Sequence, residues 1–194
     1  MVDIAYLGYE GIYATTLLDL PLAERQALLD APFLPFDGMN EHGLTIGMAA
    51  VSGSEGPFDE SKKKVDSLMI IREMLDHVRN VDEAIAILQN FNIDWGNGPP
   101  LHYLIADASA SSVLVEFYEG EVIIIPDHDS WHAATNHLRT TANKIGSSGC
   151  SRYDHISSSL TETEGLLSTQ DALTLLADVA QPSTQWSVVY QPST

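Results

Sequence analysis

Basic residues are scarce in this sequence. Lys and Arg number 9 against 27 Asp and Glu, for a formal charge of −18. A chain this acidic repels polyanions, so nucleic acid is excluded as its ordinary partner. Cysteine is nearly missing: Cys150 stands alone, so no disulfide can form within the chain. A single thiol fits a reducing compartment, and a cytoplasmic location is the expectation. No apolar run reaches the length of a bilayer span, and no membrane partner is expected. The opening MVDIAYLGYEG has an early acid and no basic n-region, unlike a secretory signal. A Gly-rich phosphate loop is also lacking, and no cofactor is expected.

What is present is the composition of a globular domain. Hydrophobic residues make up 44% of the 194 residues and charged residues 19%. That length suits one domain spanning 1–194, and no repeat or linker divides it. Apolar and aromatic residues in 2–13, broken by Gly8 and Gly11, predict a strand, a tight turn and a second strand edge. Pro21 opens a short helix with Leu22, Leu28 and Leu29 on its apolar side. Residues 33–36 and 44–51 read as strands, and 40–43 as the turn between them, with Gly43 at positive φ. The small Gly47, Ala49 and Ala50 suggest a strand face lying close under another layer or a ligand. The polar run 52–64 reads as a solvated loop. Leu68, Ile71, Leu75 and Val78 form a helical stripe, Asn80 interrupts it, and Ala84, Ile85, Ile87 and Leu88 begin a second helix.

Beyond the break at 96–100, the runs 101–106, 113–118 and 122–126 predict an antiparallel meander, with 131–135 as a fourth strand. Helices follow after Arg152 and after Ser168, the latter with Asp171 in a capping pattern. Residues 186–190 read as a last strand. Helices grouped apart from antiparallel strands make an α+β layered fold the expectation.

The stretch 131–153 carries the chemistry. A short apolar run stops at Thr135 and Asn136, a polar loop rich in Gly and Ser follows, and Arg152 and Tyr153 open a helix. Asn supplies two fixed N–H donors and Arg a charged fork, and both suit the oxyanion and carboxylate of an acyl-transfer site. The plain alternative is a turn Asn and a solvated surface Arg.

The turn FDGMNEHGL at 36–44 resembles the Asp-x-x-Asn-Glu-x-Gly-Leu turn of the choloylglycine hydrolase and penicillin V acylase family. SLMIIREML, the meander, Thr135-Asn136, Ser151-Arg152-Tyr153 and the closing TQWSVVY follow in that family's order, so the resemblance covers nearly the whole chain. It implies an N-terminal-nucleophile hydrolase, an αββα sandwich of two antiparallel sheets between helices, incomplete here at its N-terminus. It implies hydrolysis of linear amide C–N bonds in small acyl-amide substrates such as conjugated bile salts or penicillin V. The nucleophile would be an N-terminal Cys with its own α-amino group as base. Asn136 matches the oxyanion-region Asn, and Arg152 the late Arg that supports the nucleophile's end of the site. Homo-oligomerisation is implied on the same ground.

The sequence departs from that pattern in three places. Met1-Val2 offers no nucleophile, which suggests an N-terminally shortened sequence. Ala49-Ala50-Val51 stands where bile-salt hydrolases carry a second Asn, and the chain ends soon after TQWSVVY. A non-catalytic binding protein, keeping the fold and pocket without the chemistry, is the alternative.

Two other readings compete for the reactive residues. Cys150, beside Arg152 with His137 and His155 as possible bases, could be a nucleophile, but nothing in the sequence fixes a base there. An incidental thiol is the expectation. His128, Asp129, His132 and His137 have metal-ligating chemistry without spacing that enforces a site, and no metal is expected.

Overall fold

The β-branched and aromatic run between 101 and 126 builds the centre of the fold. The computed structural model describes residues 7, 17, 19–96, 98–127 and 129–192. Strands β1 (Asp37–Met39), β2 (Thr45–Ala50), β5 (Leu101–Ala106), β6 (Ser112–Tyr118) and β7 (Glu121–Pro126) form a five-stranded antiparallel sheet in the order β1-β2-β5-β6-β7. Alternation along the strands sends Ile46, Tyr103, Ile105, Val113, Val115 and Phe117 to one face, where they enter the core. Helices α1 (Met69–His77) and α2 (Val81–Leu88) cover that face with Ile70, Ile71, Met74, Ala84 and Leu88. The meander expected from the sequence is therefore present, and the fold is α+β.

The turn between β1 and β2 does more than reverse the chain. Gly43 adopts φ +80°, as expected. Asn40 Oδ1 accepts the N–H groups of His42 and Leu44, while its Nδ2 donates to the carbonyls of Leu75 (3.0 Å) and Val78 (2.7 Å). One side chain thus closes the hairpin and satisfies the C-terminal end of α1. Asn80 is the N-cap of α2. Its Oδ1 accepts Glu83 N, and Glu83 Oε2 accepts Arg79 N in return, which explains the helix break read there. Asp107, between β5 and β6, accepts Val81 N and anchors α2 to the meander.

Several expectations need correcting. Residues 33–36 are not a strand; Phe33 ends a 3-10 helix, Leu22–Phe33, and β1 begins at Asp37. That helix, expected from Pro21, is of the tighter i→i+3 kind and buries none of its residues, with Leu22 and Leu29 exposed. The run 52–64 is not all loop, since Lys63 and Lys64 begin β3 (Lys63–Asp66), paired in parallel with β4 (Phe91–Asp94). A Cβ on Gly47 would meet nothing within 4 Å, so its small size does not reflect close packing among the described residues.

Residues 131–135 and 186–190 join no ladder among the described residues. The first is held by side-chain contacts, His132 Nδ1 lying 3.2 Å from Ser112 Oγ. The second is held by Asp37, which accepts from Trp186 Nε1 (2.8 Å) and Tyr190 Oη (2.6 Å). The polar loop of 140–151 contains helix α3 (Arg139–Ile145), closed by Gly146 at φ +70°. Helices α4 (Ser151–Glu162) and α5 (Thr169–Asp178) follow as expected, and Ser168 caps α5 by accepting Asp171 N. The strand pair expected within 2–13 lies outside the described residues. No helix among the described residues is long and apolar enough to cross a membrane.

Candidate active site

The chain leaves β7 and, among the described residues, runs without ladder bonds to α3, and this crossing carries Asn136. Asn136 Nδ2 donates to the carbonyl of Ala50 at the end of β2 (2.9 Å). Arg152, in the first turn of α4, donates from Nη2 to Asn136 Oδ1 (2.9 Å). The two partners fix the amide's orientation, because the oxygen must face the guanidinium and the nitrogen the carbonyl. An amide nitrogen carries two N–H donors, and the bond to Ala50 uses one. The loop therefore brings together the two residues singled out in the sequence.

Asn136 borders a pocket of about 470 Å³. Met48, Ala49 and Ala50 of β2 form one wall, Leu68 and Pro99 another, and Trp186 a third. Phe36 stands 6.0 Å from the Trp186 ring, centroid to centroid. The hydrogen bonds to Asp37 hold residues 186–190 at this rim. Burial pushes the Asp37 carboxyl up, and the Tyr190 O–H and Trp186 N–H are the leading causes among those that bring it below its usual range. Tyr190 is displaced upward by burial and by that carboxylate.

Cys150 has more structure around it than its sequence suggested. It is the N-cap residue of α4, and its Sγ accepts from Thr135 Oγ1 at 3.4 Å. Thr135 Oγ1 lies 2.9 Å from His137 Nδ1. With the hydroxyl donating to sulfur, Nδ1 must donate to the hydroxyl, so the imidazole stands behind the thiol through Thr135. Burial pushes the thiol's pKa up, and the Thr135 hydroxyl, the N–H of Tyr153 and the charge of Arg152 outweigh it, leaving it lowered. His137 is lowered too, by burial and then by the Arg139 charge. His155, the other base considered, instead lies 3.8 Å from Asp178.

The His-rich stretch does not converge. His132 faces Ser112 and His137 faces Thr135. His128 lies outside the described residues, and no group of three metal-ligating side chains occurs among those described.

Sequence reasoning missed Glu116 and His102. Both are fully buried, and His102 Nδ1 lies 3.4 Å from Glu116 Oε1. Glu116 also accepts from Arg139 N (2.6 Å), Thr140 N (2.9 Å) and Thr140 Oγ1 (2.7 Å). Burial raises its pKa, and the contacts to His102, Thr140 and Arg139 bring it below the usual range. The available signal was an acid in the middle of the apolar run VLVEFY.

Comparison with known proteins bears on the family and the fold. The family model described as acyl-coenzyme A:6-aminopenicillanic acid acyl-transferase matches residues 35–193. An uncharacterized protein, A284L, of Paramecium bursaria Chlorella virus 1 is 30% identical over 88 residues, covering 41% of this chain and 32% of the viral protein. Two variants of a conjugated bile acid hydrolase from Clostridium perfringens share the fold. One has a TM-score of 0.55 at 18% identity, over 78% of this chain and 61% of the hydrolase. The other has a TM-score of 0.58 at 17% identity, over 81% and 63%. Penicillin V acylase from Agrobacterium tumefaciens gives a TM-score of 0.54 at 22% identity, over 74% of this chain and 50% of the acylase. The chain thus spans between half and two thirds of these solved structures and about a third of the viral protein. The fold is shared with these solved structures, as the turn at 36–44 and the order of the later motifs suggested; the described residues contribute one antiparallel sheet and the parallel pair β3-β4. With the family model matching from residue 35 to residue 193, the chain belongs to the acyl-coenzyme A:6-aminopenicillanic acid acyl-transferase family.

Proposed function

We propose that this chain forms the oxyanion and acyl-pocket part of an enzyme that acts on linear amide C–N bonds, by hydrolysis or by acyl transfer. The observation that carries this reading is the amide of Asn136, oriented by Ala50 O and Arg152 at the edge of a pocket with an apolar wall on β2 and polar residues of 181–185 on its rim. The substrate is a small acyl amide of the conjugated bile salt or penicillin V kind.

In this reading an N-terminal cysteine supplies the nucleophile. Its thiolate sulfur bonds to the amide carbonyl carbon while the C–O π pair moves onto oxygen. Asn136 donates to that oxyanion, and such donors contribute about 3 kcal/mol when well placed. Collapse breaks the C–N bond, and the leaving amine takes the proton that the α-amino group received from the thiol. Water or a second amine then cleaves the thioester. Cys150 does not meet this requirement. Its backbone nitrogen lies in a peptide bond and donates to Ser148 Oγ, so it has no free amine to act as base.

The test joins the chain to the Cys-led N-terminal segment of a close relative. Amine release from a conjugated bile salt, penicillin V and an N-acyl amino acid is then measured. Turnover that is lost on replacing the leading Cys supports the reading. A folded fusion that binds these amides by calorimetry but cleaves none would instead make the chain a binding domain. That second reading draws on the fact that both ends of the Asn136 amide already have protein partners.

A further inference from the structure

We propose that Glu116 is a positioning residue for Asn136, its carboxylate tying down the first turn of α3 and so fixing the amide at the pocket. The proposal rests on the reading of Asn136 as an oxyanion donor.

A carboxylate in the middle of an apolar strand is costly to bury unless every lone pair finds a donor. Glu116 meets that condition unusually well. Its Oε2 accepts from Thr140 N and Thr140 Oγ1, and its Oε1 accepts from Arg139 N and faces His102 Nδ1. A carboxylate accepts only, so His102 carries its proton on Nδ1.

These donors have one thing in common. Arg139 and Thr140 are the first two residues of α3, whose leading N–H groups have no partner inside the helix. The N-cap residue, Leu138, provides no side-chain cap. Glu116 provides it from β6, across the sheet, and its charge also suits the positive end of the helix.

Asn136 lies just before this clamp. On its other side, Arg139 Nη1 donates to Ala133 O at 3.4 Å, closing the bend that contains Asn136. The second anchor of Asn136 is Ala50 O, and Ala50 follows Ala49, the residue in register with His102. The strand that carries one anchor of Asn136 and the helix that follows Asn136 therefore both adjoin the His102–Glu116 pair, while Arg152 holds the amide from α4. An apolar side chain at 116 would leave the N–H groups of Arg139 and Thr140 and the Nδ1–H of His102 without their acceptor. An acceptor pair is needed here because two backbone N–H groups must be held at fixed places.

The test is a nuclear magnetic resonance measurement on the 194-residue chain. The side-chain amide resonance of Asn136 is assigned by its loss in Asn136→Ala. Glu116→Gln keeps the shape but puts an NH2 group against N–H donors. In that variant the Asn136 resonance should move, while those of Asn40 and Asn92, bonded elsewhere, stay in place. If Glu116→Gln does not fold, Thr140→Val removes one donor and should move the same resonance less far. An unmoved Asn136 resonance in a folded variant overturns the proposal. In the Cys-led fusion, Glu116→Gln should also lower kcat about ten- to a hundredfold with little change in KM. A fusion without amidase activity whose Asn136 resonance still moves would overturn the function proposed above and leave Glu116 as a positioning residue.

Discussion

The guanidinium of Arg152 donates to the amide oxygen of Asn136 at 2.9 Å, across a sequence separation of 16 residues. The bond leaves the Asn136 nitrogen facing the carbonyl of Ala50, so Arg152 sets which end of the amide meets the pocket. Lys offers a point charge on a flexible stem, not a planar fork. Arg152→Lys should therefore lower kcat of the Cys-led fusion by more than about tenfold, with the melting temperature lowered by at most about 4 °C. The contact is solvent-accessible, so its loss should cost at most about 1 kcal/mol of stability. Melting curves and kcat on the same sample check both parts.

Asn136→Ala should lower kcat of that fusion about a hundredfold or more and leave KM nearly unchanged. An oxyanion donor acts on charge that develops only in the transition state. Asn136→Asp should be at least as harmful, since it places negative charge beside the forming oxyanion. A turn residue would behave otherwise: Asn136→Ala would lower the melting temperature and leave kcat of the folded fraction intact.

The residues that could be read from the sequence are those whose partners lie nearby in it. The meander between 101 and 126 shows itself through β-branched runs and short turns, and Ser168 through its capping partner three positions on. The failures are non-local. Lys63 and Lys64 look like solvated loop because their partner strand, Phe91–Asp94, lies beyond two helices. RTTANKI carries no apolar stripe, and its helix depends on Glu116 from a distant strand. Asn136 and Arg152 could be picked out by residue type, but Ala50 as the third member could not, since a backbone carbonyl leaves no mark in a sequence.

Asp37 should show an acid-sensitive contribution to stability. Its folded pKa lies below the ordinary value of about 3.9. The stabilisation is thus fully present above the unfolded pKa and lost as pH falls through the folded one. Asp37→Asn can accept well at one oxygen only, and should cost about 1–2 kcal/mol near neutral pH. Melting temperatures measured against pH should show the gap between wild type and variant constant above about pH 5 and closing below pH 4. A gap that ignores acid would show that Asp37 holds Trp186 and Tyr190 by shape alone.

Gly43 is required by two independent constraints. It sits at φ +80°, and an added Cβ would collide with the carbonyl oxygen of Pro192. Gly43→Ala should cost at least about 1 kcal/mol through the backbone term alone. The collision should also push the C-terminal segment away from the turn, with Trp186 upstream in it. Trp186 fluorescence should therefore redden in the folded variant. A variant that melts lower with unchanged emission would confine the damage to the turn.

Cys150 offers a titration that distinguishes an activated thiol from an incidental one. Its Sγ accepts from Thr135, and its pKa is held below the ordinary thiol value. Because the folded pKa is the lower one, the stabilisation of the thiolate is complete above the unfolded pKa of about 8.5 and is lost as pH falls through the folded value. The rate of alkylation by iodoacetamide follows the thiolate fraction, so its midpoint should fall below that of a free thiol. Thr135→Val removes the donating hydroxyl and the link to His137, and should move the midpoint upward. A wild-type midpoint at or above about 8.5 would show that burial outweighs the donors. In the Cys-led fusion, Cys150→Ser should leave amide turnover in place, since a residue whose nitrogen is held in a peptide bond cannot supply the amine that this chemistry requires. Loss of turnover in that variant would move the nucleophile to Cys150.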